Sequence, residues 1–325
     1  MTLSAVIPFY NLEGYVRQCL DSVAAAASRL PEGRVVIDVV CVDDGSSDGT
    51  AAALDAYAAA DSRFRVVHKP NGGEGSARNA GIDAAVGDWV TFLDGDDVWL
   101  ENYLEVAVPL IEANPGADVV SLKYADFADG AEPPQPSSAE PRVLDLRRSV
   151  PSDVLLETGV FPTFFRRGFL GEARFSALPL GADRLFVAQL LARAETLIKC
   201  DAVVHGYRIR SGSMARAPWL ARKVESQCDF AFGALTALAE SGKTLGREGL
   251  SYLASLWLSD VPARIARIEG QGRREAWEHW RATLGSRCAA ASRRFDFVRR
   301  LLGACSFSMP LSLAVARLFR KVGVS

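Results

Sequence analysis

Trp89-Val-Thr-Phe-Leu-Asp-Gly-Asp-Asp-Val-Trp99 decides how this 325-residue chain reads. Trp89 to Leu93 is apolar, β-branched and aromatic, the composition of a strand buried on both faces. It stops abruptly at three carboxylates, Asp94, Asp96 and Asp97. Open α/β sheets place their ligands beyond the carboxyl ends of their strands. Acids this close repel one another unless a cation lies between them. Asp94 and Asp96 are hard oxygen ligands suited to Mg²⁺ or Mn²⁺, which would hold a diphosphate through one or two carboxylates. An isolated Asp-x-Asp is more often a solvated acidic turn, so the neighbouring segments have to decide.

Upstream, Leu3 to Pro8 and Val35 to Val42 are further apolar runs. They are separated by Glu13 to Ala27, with Tyr15, Val16, Cys19, Leu20 and Val23 on one helical face. Helical patterns over Thr50 to Ala60 and Ser76 to Val86 flank a short strand at Phe64 to Val67. Glu101 to Ala113 reads as a helix and Ala117 to Tyr124 as a strand. Such alternation predicts βαβ units and a mostly parallel sheet. Ala128 to Arg142 is proline-rich and predicts a loop. Beyond it, Phe161 to Arg166 and Thr196 to Tyr207 read as extended and Asp183 to Ala194 as helical. Past Met214 strand signals vanish, and three amphipathic helices are expected between Pro218 and Phe297. This divides the chain into an α/β domain over 1–215 and a smaller helical domain over 216–325.

Three strand ends carry polar groups: Pro8-Phe-Tyr10-Asn11, Asp43-Asp44-Gly45 and Asp94-Gly-Asp96. In a parallel sheet they face one edge, where amides and acids can meet a nucleobase and ribose beside a metal. Asn71-Gly-Gly-Glu-Gly-Ser-Ala-Arg78 is a glycine-rich loop opening a helix; it lacks dinucleotide-fingerprint spacing, and Arg78 in the first turn either reaches a diphosphate or forms a surface salt bridge. Asp183 begins a helix, where a plain capping role is the alternative. Tyr207 to Ser213 offers Arg208 and Ser213 to anionic oxygens. His205 nearby is either a metal ligand or a packed core histidine.

Taken together, Val6-Ile-Pro-Phe-Tyr-Asn11, Val42-Asp-Asp-Gly-Ser-Ser-Asp-Gly-Thr50, Gly75-Ser-Ala-Arg-Asn-Ala-Gly-Ile82, Phe92-Leu-Asp-Gly-Asp-Asp97 and Tyr207 to Ser213 resemble the family 2 inverting glycosyltransferases of the GT-A fold. The resemblance runs from Leu3 to about Met214. It implies that Pro8, Tyr10 and Asp44 hold uracil and ribose, with Asn71 and Arg78 near the base and diphosphate. It implies that Asp94 and Asp96 contact ribose and metal, that Asp183 is the catalytic base, and that Arg208 and Ser213 close on the diphosphate. Ala182 stands where the family usually has Glu. The implied activity is metal-dependent transfer of a hexose or N-acetylhexosamine, from a UDP-sugar, to a cell-surface glycan or its lipid-linked precursor. The rivals are a nucleotidyltransferase and a catalytically inactive nucleotide-sugar-binding partner.

Bulk properties exclude little. The formal net charge is −2, and the arginines that crowd the chain after Arg264 lack the interleaved aromatics of a nucleic-acid surface. They fit peripheral association with an anionic membrane, or a self-association face. Residues 1–8 lack the pattern of a signal peptide, no stretch reaches membrane-spanning length, and the six scattered cysteines suit a reducing cytoplasm.

Overall fold

The computed structural model describes residues 1–178, 181–210, 230, 233–234, 236–238, 240–245 and 274–278. The strands are β1 (Thr2–Phe9), β2 (Val36–Asp43), β3 (Phe64–His68), β4 (Trp89–Phe92), β5 (Val98–Trp99), β6 (Val119–Ala128), β7 (Pro141–Asp145), β8 (Ser149–Val150), β9 (Thr163–Arg166), β10 (Thr196–Ile209) and β11 (Thr244–Leu245). The helices are α1 (Glu13–Ser28), α2 (Thr50–Ala60), α3 (Glu74–Ala84), α4 (Tyr103–Ala113), α5 (Ser152–Glu157), α6 (Arg167–Leu170) and α7 (Ala182–Arg193). Residues 274–278 are also helical. The remaining helices expected in the C-terminal part, its arginine-rich faces and Ser213 lie outside the described residues.

Two compact units divide the chain. The first comprises Met1–Arg147, Thr158–Ala177 and Ala194–Ser213, the second Arg148–Glu157, Leu178–Arg193 and Met214–Ser325. Two short segments ahead of residue 215 therefore belong to the second unit, and one of them carries Asp183. The second unit contains β8 paired in parallel with β11, together with α5 and α7.

Nine strands of the first unit form one sheet in the order β3-β2-β1-β4-β9-β6-β10-β5, with β7 also on β10. β3, β2, β1 and β4 run parallel, as the βαβ alternation requires. β9 enters antiparallel between β4 and β6, where alternation alone predicts another parallel strand. The helix ahead of it, α5, is only six residues long and belongs to the second unit, so β9 does not complete a βαβ crossover within this sheet.

Burial explains the strand assignments. Every residue from Leu3 to Phe9 and from Trp89 to Phe92 is buried. α1 covers one face with Val16, Cys19, Leu20, Val23 and Ala26, the three-and-four spacing of an amphipathic helix. The proline-rich loop is anchored midway: Ser137 Oγ accepts from Val203 N (2.9 Å), and Ser137 N donates to Val203 O (3.1 Å). Among the described residues no helix is long and apolar enough to cross a membrane, and Cys19, Cys41 and Cys200 are buried free thiols.

Candidate active site

Register brings the three polar strand ends together. Phe9 stands opposite Asp43 and Val6 opposite Phe92. The pairing runs one residue further, with Asp44 N donating to Phe9 O (2.9 Å) and Leu93 N to Val6 O (3.1 Å). Asp44 and Asp94 thus leave the sheet on the same edge. Gly95 is required there: a Cβ on it would sit 2.5 Å from Phe9 Cδ1 and 2.8 Å from Pro8 O.

Asp44 is buried in a cradle of donors. Lys69 Nζ (2.5 Å) and Gly72 N (3.0 Å) donate to its Oδ1, and Gly73 N to its Oδ2 (2.8 Å). The glycine-rich loop is therefore folded over Asp44, with Asn71 exposed on it. Gly45 makes this possible: its φ is +72°, and a Cβ would meet Asn71 N at 2.7 Å. Tyr10, 49% exposed, flanks the same edge, while Pro8 is buried within β1. Lys69 carries no motif signal; only the fold reveals its contact with Asp44.

Behind Asp44, the His68 ring bridges Asp43 (Nδ1, 3.0 Å) and Asp55 (Nε2, 3.0 Å), and these two bonds raise its pKa. Burial by itself would raise Asp43, but hydrogen bonds from Ser46 and His68 outweigh it and lower the carboxyl.

Arg78, in the first turns of α3, turns inward. Its Nη2 donates to Asp94 Oδ1 (2.6 Å) and pairs with Glu74, while its guanidinium lies 5.4 Å from the centre of the Phe175 ring. Phe175 is fixed by Asn79 through reciprocal bonds of 2.8 and 2.9 Å. Burial raises the Asp94 carboxyl against the pull of Arg78, and the charges of Glu74, Asp97 and Asp96 raise it further.

β10 closes the site from the other side. Its antiparallel pairing with β5 sets His205 opposite Trp99. Asp97 Oδ1 then accepts from Arg208 N (2.7 Å), and Asp97 Oδ2 lies 3.0 Å from His205 Nε2. His205 is fully buried, and that burial pushes it down to about 4. Its Nε2 faces Asp97 rather than Asp94 or Asp96. Arg208 is 5% exposed and fully engaged: Nε donates to Asp96 O (2.6 Å), Nη2 to Gln18 Oε1 (2.6 Å) and Nη1 to Asp129 Oδ1 (3.4 Å). Arg210, two residues on and less buried, pairs with the Asp96 side chain.

Two carboxylates at this edge, Asp94 and Asp96, are 21% and 19% exposed, and each already draws a guanidinium. Their hard oxygens and the surplus of nearby negative charge fit a divalent cation whose shell is completed by diphosphate oxygens. Among the described residues no cluster of three ligating side chains exists that would hold a metal without such help.

Asp183 is the second residue of α7, in the second unit.

A mostly parallel sheet with an acidic, arginine-flanked carboxyl edge is the architecture of an α/β protein of the GT-A class. The chain belongs to glycosyl transferase family 2, whose sequence model matches residues 4–171. It is 27% identical over 271 residues to glycosyltransferase GlyA of Streptococcus pneumoniae, covering 79% of this chain but only 37% of that protein. Glycosyltransferase GlyG of the same organism is 28% identical over 226 residues, covering 66% of this chain and 73% of that one. The fold matches that of S. aureus TarS residues 1–349 in complex with UDP-GlcNAc, with a TM-score of 0.75 at 22% identity, covering 99% and 92% of the two chains. A mannosyltransferase from Pyrobaculum calidifontis, solved with GDP-Man and Mn²⁺, matches with a TM-score of 0.54 at 17% identity, covering 98% and 86%.

Proposed function

We propose that this chain is an inverting, metal-dependent glycosyltransferase that moves a hexose or N-acetylhexosamine from a UDP-sugar to a hydroxyl of a cell-surface glycan or its lipid-linked precursor. One observation carries the reading: in a family 2 chain, three strand ends deliver the Asp44 cradle and the Arg78–Asp94 and Arg210–Asp96 pairs to a single sheet edge. The family match sets aside the nucleotidyltransferase alternative. A UDP donor is supported by the ligands of TarS, and a metal by the Mn²⁺ of the mannosyltransferase.

In this reading Asp44, Tyr10, Pro8 and Asn71 receive the base and ribose. Asp183 accepts the proton of the acceptor hydroxyl as its oxygen attacks the anomeric carbon and the bond to the diphosphate oxygen breaks. Arg78 and Arg210 place positive charge where the leaving diphosphate gathers negative charge, and Arg208 holds Asp96 and Asp97 in position behind them; Ser213 closes on the same group. A Mn²⁺ or Mg²⁺ ion held by Asp94 and Asp96 would add Lewis-acid stabilisation of that leaving group. The enzyme works in the cytoplasm, peripheral to an anionic membrane through its arginine-rich C-terminal part.

Calorimetric titration of the chain with UDP, with and without Mn²⁺, tests the donor site. Binding that strengthens with Mn²⁺ and weakens in Asp44→Ala is expected. A chain that ignores UDP under both conditions would end the proposal.

A further inference from the structure

Beside the carboxylate edge, four rings meet on one face of the β6–β10 pair. His205 stands opposite Tyr124 and Tyr207 opposite Asp126 in the parallel register, so by two-residue alternation these four side chains share a face. Phe127 and Arg208 occupy the other, where the guanidinium lies 4.5 Å from the ring centre. Phe161 covers the first face, nearly parallel to His205 (5.1 Å, 12°) and to Tyr207 (5.9 Å, 11°). Tyr124 lies 6.2 Å from Phe161 and 5.7 Å from Tyr207.

A core cluster would be closed to water; this one is not. Tyr124 is 41% exposed, and Phe161 and Tyr207 are half-buried. Asp126 beside them is exposed, and its carboxylate has no hydrogen-bond partner among the described residues. His205 Nδ1, enclosed beneath Phe161, likewise has none. The same strand that carries Tyr207 binds Asp97 through His205 and Arg208, so platform and carboxylate edge adjoin within one unit. The Tyr207 hydroxyl is pushed up to about 12 by burial and then by the charges of Asp97, Asp94 and Asp96, which places it within their field.

We propose that Tyr124, Phe161 and Tyr207 form an acceptor subsite on which a pyranose ring stacks, with Asp126 accepting hydrogen bonds from its hydroxyls. The C–H face of a pyranose is apolar and presents weakly positive hydrogens to the negative face of an aromatic ring. Its hydroxyls donate to a carboxylate in charge-assisted bonds. A second nucleotide would also stack, but its phosphates would meet Asp126 and the carboxylate edge, so a neutral sugar fits better. The inference rests on the transferase reading given above.

Saturation-transfer NMR on the full chain, with UDP and diamagnetic Mg²⁺ present, tests it with three probes: methyl β-glucopyranoside, methyl β-galactopyranoside and the methyl β-glycoside of N-acetylglucosamine. At least one should receive magnetisation on its ring C–H protons. Tyr124→Ala should weaken that glycoside about fivefold, while Tyr124→Phe retains it, as a lost ring contact implies. Asp126→Asn, on an exposed side chain, should weaken it about threefold and keeps the test open if Tyr124→Ala fails to fold. No transfer to any probe in the UDP-bound wild type, or equal affinity in both Tyr124→Ala and Asp126→Asn, would overturn the platform while leaving the donor site standing. A wild-type chain that does not bind UDP in the same samples would remove the donor-site reading, and the platform with it.

Discussion

Arg78 reaches across 16 positions of sequence to place its guanidinium 2.6 Å from Asp94, and does so from a side chain only 2% exposed. The pair ties the start of α3 to the end of β4, so one contact serves both the fold and the acidic edge. Removing one member of a buried ion pair strands the other, at a cost of about 3–5 kcal/mol. Because Asp94 keeps some contact with water, Arg78→Ala should fall at the lower end, about 3 kcal/mol by urea denaturation. Arg78→Lys should recover part of this without the forked geometry. An alanine variant as stable as the wild type would show the pair to be incidental.

Asp96 separates a metal role from a structural one. Its backbone oxygen is held by Arg208 and its side chain by Arg210, so Asp96→Ala keeps the first contact. Calorimetry should find UDP affinity in Mn²⁺ reduced at least about tenfold, with affinity in a chelator little changed. Equal losses in both buffers would argue against a metal ligand.

Gly45 adopts a φ of +72° with the Asn71 amide 2.7 Å from where a Cβ would stand. Gly45→Ala should cost about 1–3 kcal/mol, combining left-handed strain with displacement of the loop over Asp44. UDP binding should weaken in parallel. A crystal structure of the variant with the loop unmoved would contradict this.

His68 predicts a pH dependence. Its pKa is raised above 6.5 by Asp43 and Asp55, so protonation is favoured in the folded state. The stabilisation it gives is complete below about pH 6.5, the unfolded value, and is lost as pH rises through the higher folded value. The difference in Tm between wild type and His68→Gln should therefore be largest near pH 6 and shrink toward about pH 9. A constant difference across that range would mean the histidine acts by packing alone.

Asp183→Asn removes the proposed base while changing one atom's chemistry. Transfer should fall by about a hundredfold or more, with UDP affinity within about twofold of wild type. Full turnover in the variant would exclude Asp183 from the proton transfer.

The local pattern of the chain was enough to read β1, β2 and β4, because each is an apolar run ended by a polar turn, and their alternation with helices implies parallel order. That reading already placed Asp44 and Asp94 on one edge. It could not find Lys69 on Asp44, since a lone lysine before a proline carries no periodic signal. Nor could it tell that Arg208 would be enclosed by Gln18, Asp96 and Asp129 while Arg210 stayed closer to water.

Those outcomes depend on β5 and β10, whose pairing brings Asp97 to His205 and Arg208 across 108 and 111 positions. A two-residue strand such as Val98–Trp99 buries too little to declare itself; it exists because the last strand of the sheet supplies its hydrogen-bonding partner. Residue order by itself determined which groups the edge would display. Only the folded sheet decided which became buried clamps and which remained open to a ligand, because burial and charge pairing belong to neighbours in space.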